Sequence, residues 1–386
     1  MPQNAPIMPD LEIRIGIKTD GPPLIKRTDG YTELKNMLIG DGFHWQKTIS
    51  AKLPGKIELL GEDGLTIPYG DCFFDAENVL LINIVPLEKY LECVVGSEMN
   101  PLAPPEFLKA QAVVSRNWSL GKIVGSHAAG NEGFVNDPQT IIGWDDTSAH
   151  RGFHVCSDDH CQRYQGLQQV SKEAEDAIRT TENEILEDEE GHLIDTRFSK
   201  CCGGITEVFS TCWQENDYRS LKSFRDPWCD LSSLDESDRG TLLSSILKDY
   251  DLATRNYGFS WETEISKSDV RTNLRRKFGK DIGEIRSLEV LERGPSGRIR
   301  LLKINGTDSS ISLGKELWIR RLLSPSHLYS SAFEIEDLGE GFRLHGKGWG
   351  HGVGLCQIGA AHMAYAGKDY KSILSFYYPD SRLRRL

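Results

Sequence analysis

No stretch of these 386 residues stays apolar for the ~18 positions that a bilayer-spanning helix requires, so a helical membrane span is not expected. Basic charge is also short: 45 Lys and Arg stand against 57 Asp and Glu, for a net charge of -12. Nucleic-acid binding needs a concentrated cationic face, so no nucleic-acid partner is expected. The C-terminal RLRRL reads as a solvated tail. The opening MPQNAPIMPDLEIRIGI has neither the basic start nor the long apolar middle of a secretory leader. Also missing is the Gly-Lys-Ser/Thr that closes a phosphate-cradling loop. Cysteine is not scarce, but its count of nine is odd and its spacing uneven. That argues against a fully bridged framework and for a reduced chain with one metal site.

What is present is a mixture of helix and strand patterns. Alternating Ile13, Ile15 and Ile17 in LEIRIGIKT predict a strand. LLINIVPLEKYLECVVGSEM predicts a buried strand running into a short helix. EFLKAQAVVSRNWSLGKI is the strongest helix pattern, with Phe107, Ala110, Val114 and Trp118 at helical spacing. Glu106 in its first turn suits the positive end of the helix dipole. SKEAEDAIRTTE predicts a polar helix, HLIDTRFSKCCGGITEVFS a strand-like segment, and SLEVLERGPSGRIRLLKING two strands joined at GPSG. The class is α+β. Composition changes near 230 and 325, so residues 1–229 and 326–386 are expected to form one cleft-bearing domain from both chain ends. A smaller accessory domain, 230–325, would be inserted between them.

Two stretches carry candidate chemistry. GWGHGVGLCQIGA packs five glycines into thirteen residues, which permits positive φ and close approach of a ligand or another backbone. His351 in this loop is either a site residue or merely hydrogen-bonded. The second stretch is VVGSEMNPLAPPEFLKAQAVVSRNW, where Glu98 lies between a helix end and a Pro-rich turn. A carboxylate partly buried at such a place can serve as a general acid. Lys109 and Arg116, seven residues apart, project from one side of the following helix. They read either as a cationic pair for a polar substrate or as members of a salt-bridge network. Glu88 and Glu92 read as solvated or paired. A third stretch, CSDDHC, would hold a metal, close a disulfide, or pack as free thiols.

The pairing of YLECVVGSEMNPLAPPEFLKAQAVVSRNWSL with HGKGWGHGVGLCQIGAAHMAYAGKDYKSILSFYYPD closely resembles the stage II sporulation protein D (SpoIID/LytB) family. The family pattern is a Ser-Glu-Met turn, then Lys-Ala-Gln-Ala-Val and an Arg, and much later His-Gly-x-Gly-x-Ser-Gln-x-Gly. Cys356 departs from it, standing where the family usually has Ser. The resemblance implies a lytic transglycosylase cutting peptide-free peptidoglycan glycan strands. Glu98 falls on the catalytic glutamate, and Lys109 and Arg116 on substrate-cleft positions. Gly203, Gly204 and Thr206 correspond to a further cleft segment. His351 and Gln357 fall within the family's second block and join that substrate-binding set. Tyr378, like Tyr377, is aromatic enough to stack on a sugar ring, although core packing is the more common fate of such residues. The alternative is a non-catalytic glycan-binding module that stimulates a cell-wall amidase.

Some family members also have a His six residues before the first Cys of the third stretch, here His150 in HRGFHVCSDDHC. The resemblance therefore implies zinc on His150, Cys156 and Cys161, with His160 and His154 as reserve ligands, in a structural or cleft-shaping role. Cys201 or Cys202 is a further candidate ligand. A wall-directed activity implies the cell envelope or periplasm, whereas the missing leader keeps a cytoplasmic protein with another glycan target as the competing location.

Overall fold

The computed structural model describes residues 11–18, 24–27, 30–33, 48–52, 57–60, 66–67, 71–75, 80–125, 135–144, 150, 152–158, 160–216, 218–248 and 258–386. The opening MPQNAPIMPD lies outside the described residues. Helices and strands are interleaved through small sheets, and the α+β class holds. The chain divides into two compact units. One comprises residues 1–129, 147–187 and 383–386; the other comprises 130–146 and 188–382. The boundaries expected near 230 and 325 do not separate units: residues 230–325 lie wholly within the second.

In the first unit, strand Glu12–Lys18 pairs antiparallel with Leu80–Pro86, Glu12 facing Pro86 and Lys18 facing Leu80, and parallel with Val155–Cys156. Ile13, Ile15 and Ile17 are buried as their alternation requires. Gly16 is buried beside them because the Phe153 ring covers it: a Cβ there would lie 2.7 Å from that ring. Strand Leu80–Pro86 leads directly into helix Leu87–Glu98. Helix Pro105–Val124 starts with Pro at its first position and stops at Gly125, whose φ of 68° is the left-handed cap that glycine adopts without strain. Phe107, Ala110, Val114 and Trp118 are buried as the spacing predicts. Each large apolar side chain so buried contributes ~1.5–3 kcal/mol. Helix Lys172–Thr180, capped by Ser171, packs against both of these helices.

In the second unit the predicted hairpin forms, Ile285–Arg293 against Ile299–Gly306. It continues into a five-stranded sheet through Ser310–Gly314, Thr140–Ile142 and Val135–Asn136. Strands Ser260–Ser266, Gly341–Lys347 and Phe333–Asp337 make a second sheet, and Trp261, Leu302, Leu313, Phe333 and Leu344 share one core. The hairpin is tied to the glycine-rich loop by Arg298. This fully buried guanidinium donates to the carbonyls of Gly350 at 3.0 Å and Cys202 at 3.1 Å. That tie is one physical reason why 230–325 does not stand apart. Strand Phe198–Ser199 pairs in parallel with Leu355–Cys356, and helices Gln357–Tyr365 and Tyr370–Tyr377 follow.

Candidate functional site

Glu98 is the last residue of helix Leu87–Glu98, and Met99 turns the chain to an extended conformation immediately after it. The carboxylate is half-buried. One oxygen accepts the Arg163 N–H at 2.9 Å. The neighbouring Ser97 hydroxyl donates to the Cys93 carbonyl at 2.6 Å and accepts the Gln165 N–H at 2.9 Å. The segment Arg163–Gln165 thus lies across the Ser-Glu turn through two backbone donors. Tyr164, between them, stacks on Tyr90 with ring centroids 5.6 Å apart. Gly96 lets this crossing approach closely, since a Cβ there would sit 2.3 Å from the Gln169 carbonyl oxygen. Sequence reasoning missed these anchors because a backbone N–H carries no residue-type signal.

The two cations of the following helix have different fates. Lys109 is partly exposed and pairs with Glu106 at 2.5 Å, one helical turn away. Arg116 is fully buried, and its Nε and Nη2 each reach an oxygen of Glu88 at 2.8 Å. Its remaining donors meet the carbonyls of Glu184 at 3.3 Å and Ile178 at 3.4 Å. The expected cleft position of Arg116 is therefore corrected: helix Lys172–Thr180 and the residues after it cover the guanidinium, which ties helices together. Glu88 is paired, as read from the sequence.

Within the same unit, ligand atoms of His150, Cys156, His160 and Cys161 all lie within 4.8 Å of one another. The Cys161 Sγ is 3.7 Å from His160 Nδ1 and 3.9 Å from His150 Nε2, and Cys156 Sγ is 3.8 Å from His160 Nδ1. Tetrahedral zinc with two sulfur and two nitrogen ligands requires separations of roughly 3.3–3.8 Å, so the donor set and its size fit that ion. A hydrogen bond from Cys161, with help from His150 and His160, holds the Cys156 thiol well below its usual range, whereas burial and the neighbouring Cys156 push the Cys161 thiol up. Of the reserve histidines, His160 joins the cluster. His154 does not: its Nδ1 accepts the Arg14 N–H at 3.1 Å.

The remaining expected residues belong to the second unit. Gly348, Gly350, Gly352 and Gly354 all take positive φ, between 72° and 94°. Gly203 has φ 79°, and a Cβ on it would come 3.0 Å from the Gly348 nitrogen. Glycine is thus needed on both sides of this approach. His351 rests edge-on to Trp213 with centroids 4.9 Å apart, and its Nδ1 accepts the Val353 N–H at 3.0 Å. Burial, then the guanidiniums of Arg197, Arg298 and Arg320, hold its imidazole down to about 3, so the ring is neutral. Gln357 opens helix Gln357–Tyr365 and is buried. Two expectations are corrected here. Thr206 is fully buried, its hydroxyl accepting the Phe224 N–H at 2.9 Å. Tyr378 is also fully buried, its hydroxyl donating to the Arg197 carbonyl at 2.8 Å. Neither presents a face to a sugar ring in this arrangement. HLIDTRFSKCCGGITEVFS is strand only at Phe198–Ser199, both Cys201 and Cys202 are buried, and Gly203 and Gly204 follow with φ of 79° and 94°.

The family model described as Stage II sporulation protein matches residues 75–187, and a model described as a domain of unknown function (DUF8618) matches 207–354. An uncharacterised protein of Brachyspira hyodysenteriae is 28% identical over 323 residues, covering 82% of this chain and 73% of that relative. The stage II sporulation protein D of Bacillus subtilis is 26% identical over 299 residues, 78% of this chain and 74% of its own. An amidase enhancer of Bacillus subtilis is 24% identical over 321 residues, 76% of this chain but 40% of the relative. The matched segment 75–187 holds Glu98, Arg116 and the thiol–imidazole cluster, and over it this chain is similar to the stage II sporulation protein family.

Proposed function

We propose that this protein acts on the cell wall as a lytic transglycosylase of peptide-free glycan strands, with Glu98 as the single acid and base. The observation that carries the reading is the half-buried carboxylate at the end of helix Leu87–Glu98, oriented by the Arg163 N–H at 2.9 Å. Protonated Glu98 would donate to the oxygen linking N-acetylmuramic acid to N-acetylglucosamine as positive charge develops at C1. The resulting carboxylate would then take the proton of the muramyl C6 hydroxyl, whose oxygen closes the 1,6-anhydro ring on C1. The leaving sugar gains a proton, the ring oxygen loses one, and no water is consumed. One carboxylate therefore suffices, where hydrolytic glycosidases use two.

Zinc would be held by His150, Cys156, His160 and Cys161. Four protein ligands complete a tetrahedron, the pattern of structural sites. Its effect would be to fix the chain that leads from Cys161 to the Arg163 N–H. Lys109 remains the candidate glycan contact of the first unit, and Gly204 and His351, which are partly exposed, remain those of the second; Gly203 and Gln357 are buried, as Thr206 and Tyr378 are.

The test is digestion of amidase-stripped glycan strands by wild type and Glu98→Gln, read by mass spectrometry. Products ending in 1,6-anhydromuramic acid from the wild type alone support the proposal. Reducing-end products would make water the nucleophile and overturn the mechanism. A second reading, a glycan-binding module that stimulates a wall amidase, is favoured by the likeness to a protein named amidase enhancer. Retention of strands without cleavage would select it.

A further inference from the structure

The second unit contains a convergence of metal-ligating side chains that the Glu98 chemistry does not use. We propose that Cys202, Cys229, Cys356 and Asp226 form a second metal site, holding one buried zinc ion. Their ligand atoms lie within 4.8 Å of one another, although they come from segments far apart in the chain. All four residues are buried, with exposures of 2%, 0%, 0% and 1% for Cys202, Cys229, Cys356 and Asp226. Thiolates of a tetrahedral zinc stand roughly 3.8 Å apart, so one ion spans such a set.

Three further observations point to a cation. Asp226 is a buried carboxylate whose hydrogen-bond partners are neutral: the Trp228 and Cys229 N–H groups at 3.0 and 3.3 Å, the Tyr377 hydroxyl at 2.9 Å and the Cys202 thiol at 3.4 Å. A buried charge normally requires an opposite charge as well as hydrogen bonds. The backbone also supports the sulfurs. Cys356 Sγ accepts the N–H groups of Cys202 at 3.3 Å and Gly359 at 3.5 Å, the outer shell expected around a ligating thiolate. Finally, Gly359 lets the helix start reach the site, because a Cβ there would lie 2.2 Å from the Tyr377 hydroxyl and 2.7 Å from Asp226 Oδ2. Cys356, standing where the resembling family has Ser, supplies a thiol at the point where the others meet. Such an ion would clamp the Cys202 turn and the Asp226–Cys229 loop to the end of the glycine-rich stretch. Cys201 Sγ is 3.4 Å from Cys229 Sγ, so the competing arrangement is a disulfide between these two.

The site is separable from the thiol–imidazole cluster by mutation. Protein carrying Cys156→Ser and Cys161→Ser, purified without chelator, is expected to retain one zinc per chain. Its X-ray absorption shell should show three sulfurs and one oxygen, and cobalt substitution should give thiolate charge-transfer and tetrahedral ligand-field bands. Adding Cys356→Ser, the conservative exchange, should weaken the charge-transfer band, and Cys229→Ser should remove the ion. If Cys229→Ser does not fold, the absorption shell of the double variant still decides. Metal-free, folded double variant would overturn the proposal, as would a Cys201–Cys229 disulfide found by peptide mapping. Either failure leaves the Glu98→Gln glycan digest unaffected, so the two proposals fail separately.

Discussion

Arg116 and Lys109 show how far residue type predicts a role. Their spacing places both on one side of helix Pro105–Val124, as read, yet the sequence does not state what covers that side. Arg116 lies under helix Lys172–Thr180, fully buried and bidentate to Glu88, whereas the Lys109–Glu106 pair is partly exposed. Replacing Arg116 by Met is therefore expected to cost about 3 kcal/mol, since Glu88 loses its partner in a largely enclosed place. Lys109→Met should change stability by less than ~1 kcal/mol. Urea unfolding of the two variants measures the contrast, and equal losses would contradict this assignment. His351 gives a prediction of opposite character. An unfolded histidine titrates near ~6.5, whereas the folded imidazole is held down to about 3. Between these values the unfolded chain binds the extra proton. The contribution is therefore complete above ~6.5 and is lost as pH falls toward 3, by about 1 kcal/mol per unit. Subtracting the pH–stability curve of His351→Gln from that of wild type isolates this slope; a flat difference would mean that the ring is not enclosed.

At the scale of elements, long periodic segments were legible and irregular ones were not. Helix Pro105–Val124 announced itself through its apolar spacing, and the hairpin through GPSG between alternating strands. The Ser-Glu turn was legible as a place, because a helix end against NPLAPP is a local signal. Its supporting segment was not, because Arg163 and Gln165 act through backbone N–H groups and the crossing depends on an absent Cβ at Gly96. Gly96→Ala is accordingly expected to push the Gln169 carbonyl away from 2.3 Å, at a cost of about 1–3 kcal/mol. Hydrogen exchange at the Arg163 and Gln165 amides should rise, since their acceptors are Glu98 and Ser97 on the helix that must shift. Unchanged protection at both amides would separate the crossing from the Glu98 site.

At the scale of the whole chain, the division into units follows side chains that sequence composition does not reveal. The change of composition near 230 and 325 reads as an insertion, yet Arg298 and Ser296 tie the hairpin to Gly350, Cys202 and Glu207 within the second unit. Ser296 donates its hydroxyl to buried Glu207 at 2.6 Å. Cysteine shows the same limit: CSDDHC was visible as a local spacing, whereas Cys202, Asp226, Cys229 and Cys356 are united only by folding. The two clusters differ in access, and this gives a kinetic prediction for the zinc-loaded protein. Cys156 and Cys161 are partly exposed and His160 is exposed, so a chelator can attack the first ion directly. The second ion would be enclosed by ligands at most 2% exposed, and its release must wait for the surrounding structure to open. A colorimetric chelator should therefore withdraw one zinc quickly and one slowly, and only the slow phase should accelerate in sub-denaturing urea. Cys156→Ser with Cys161→Ser should delete the fast phase alone. Two fast phases would mean that the inner thiols open without unfolding, because enclosure at this depth couples metal release to the stability of the unit that surrounds it.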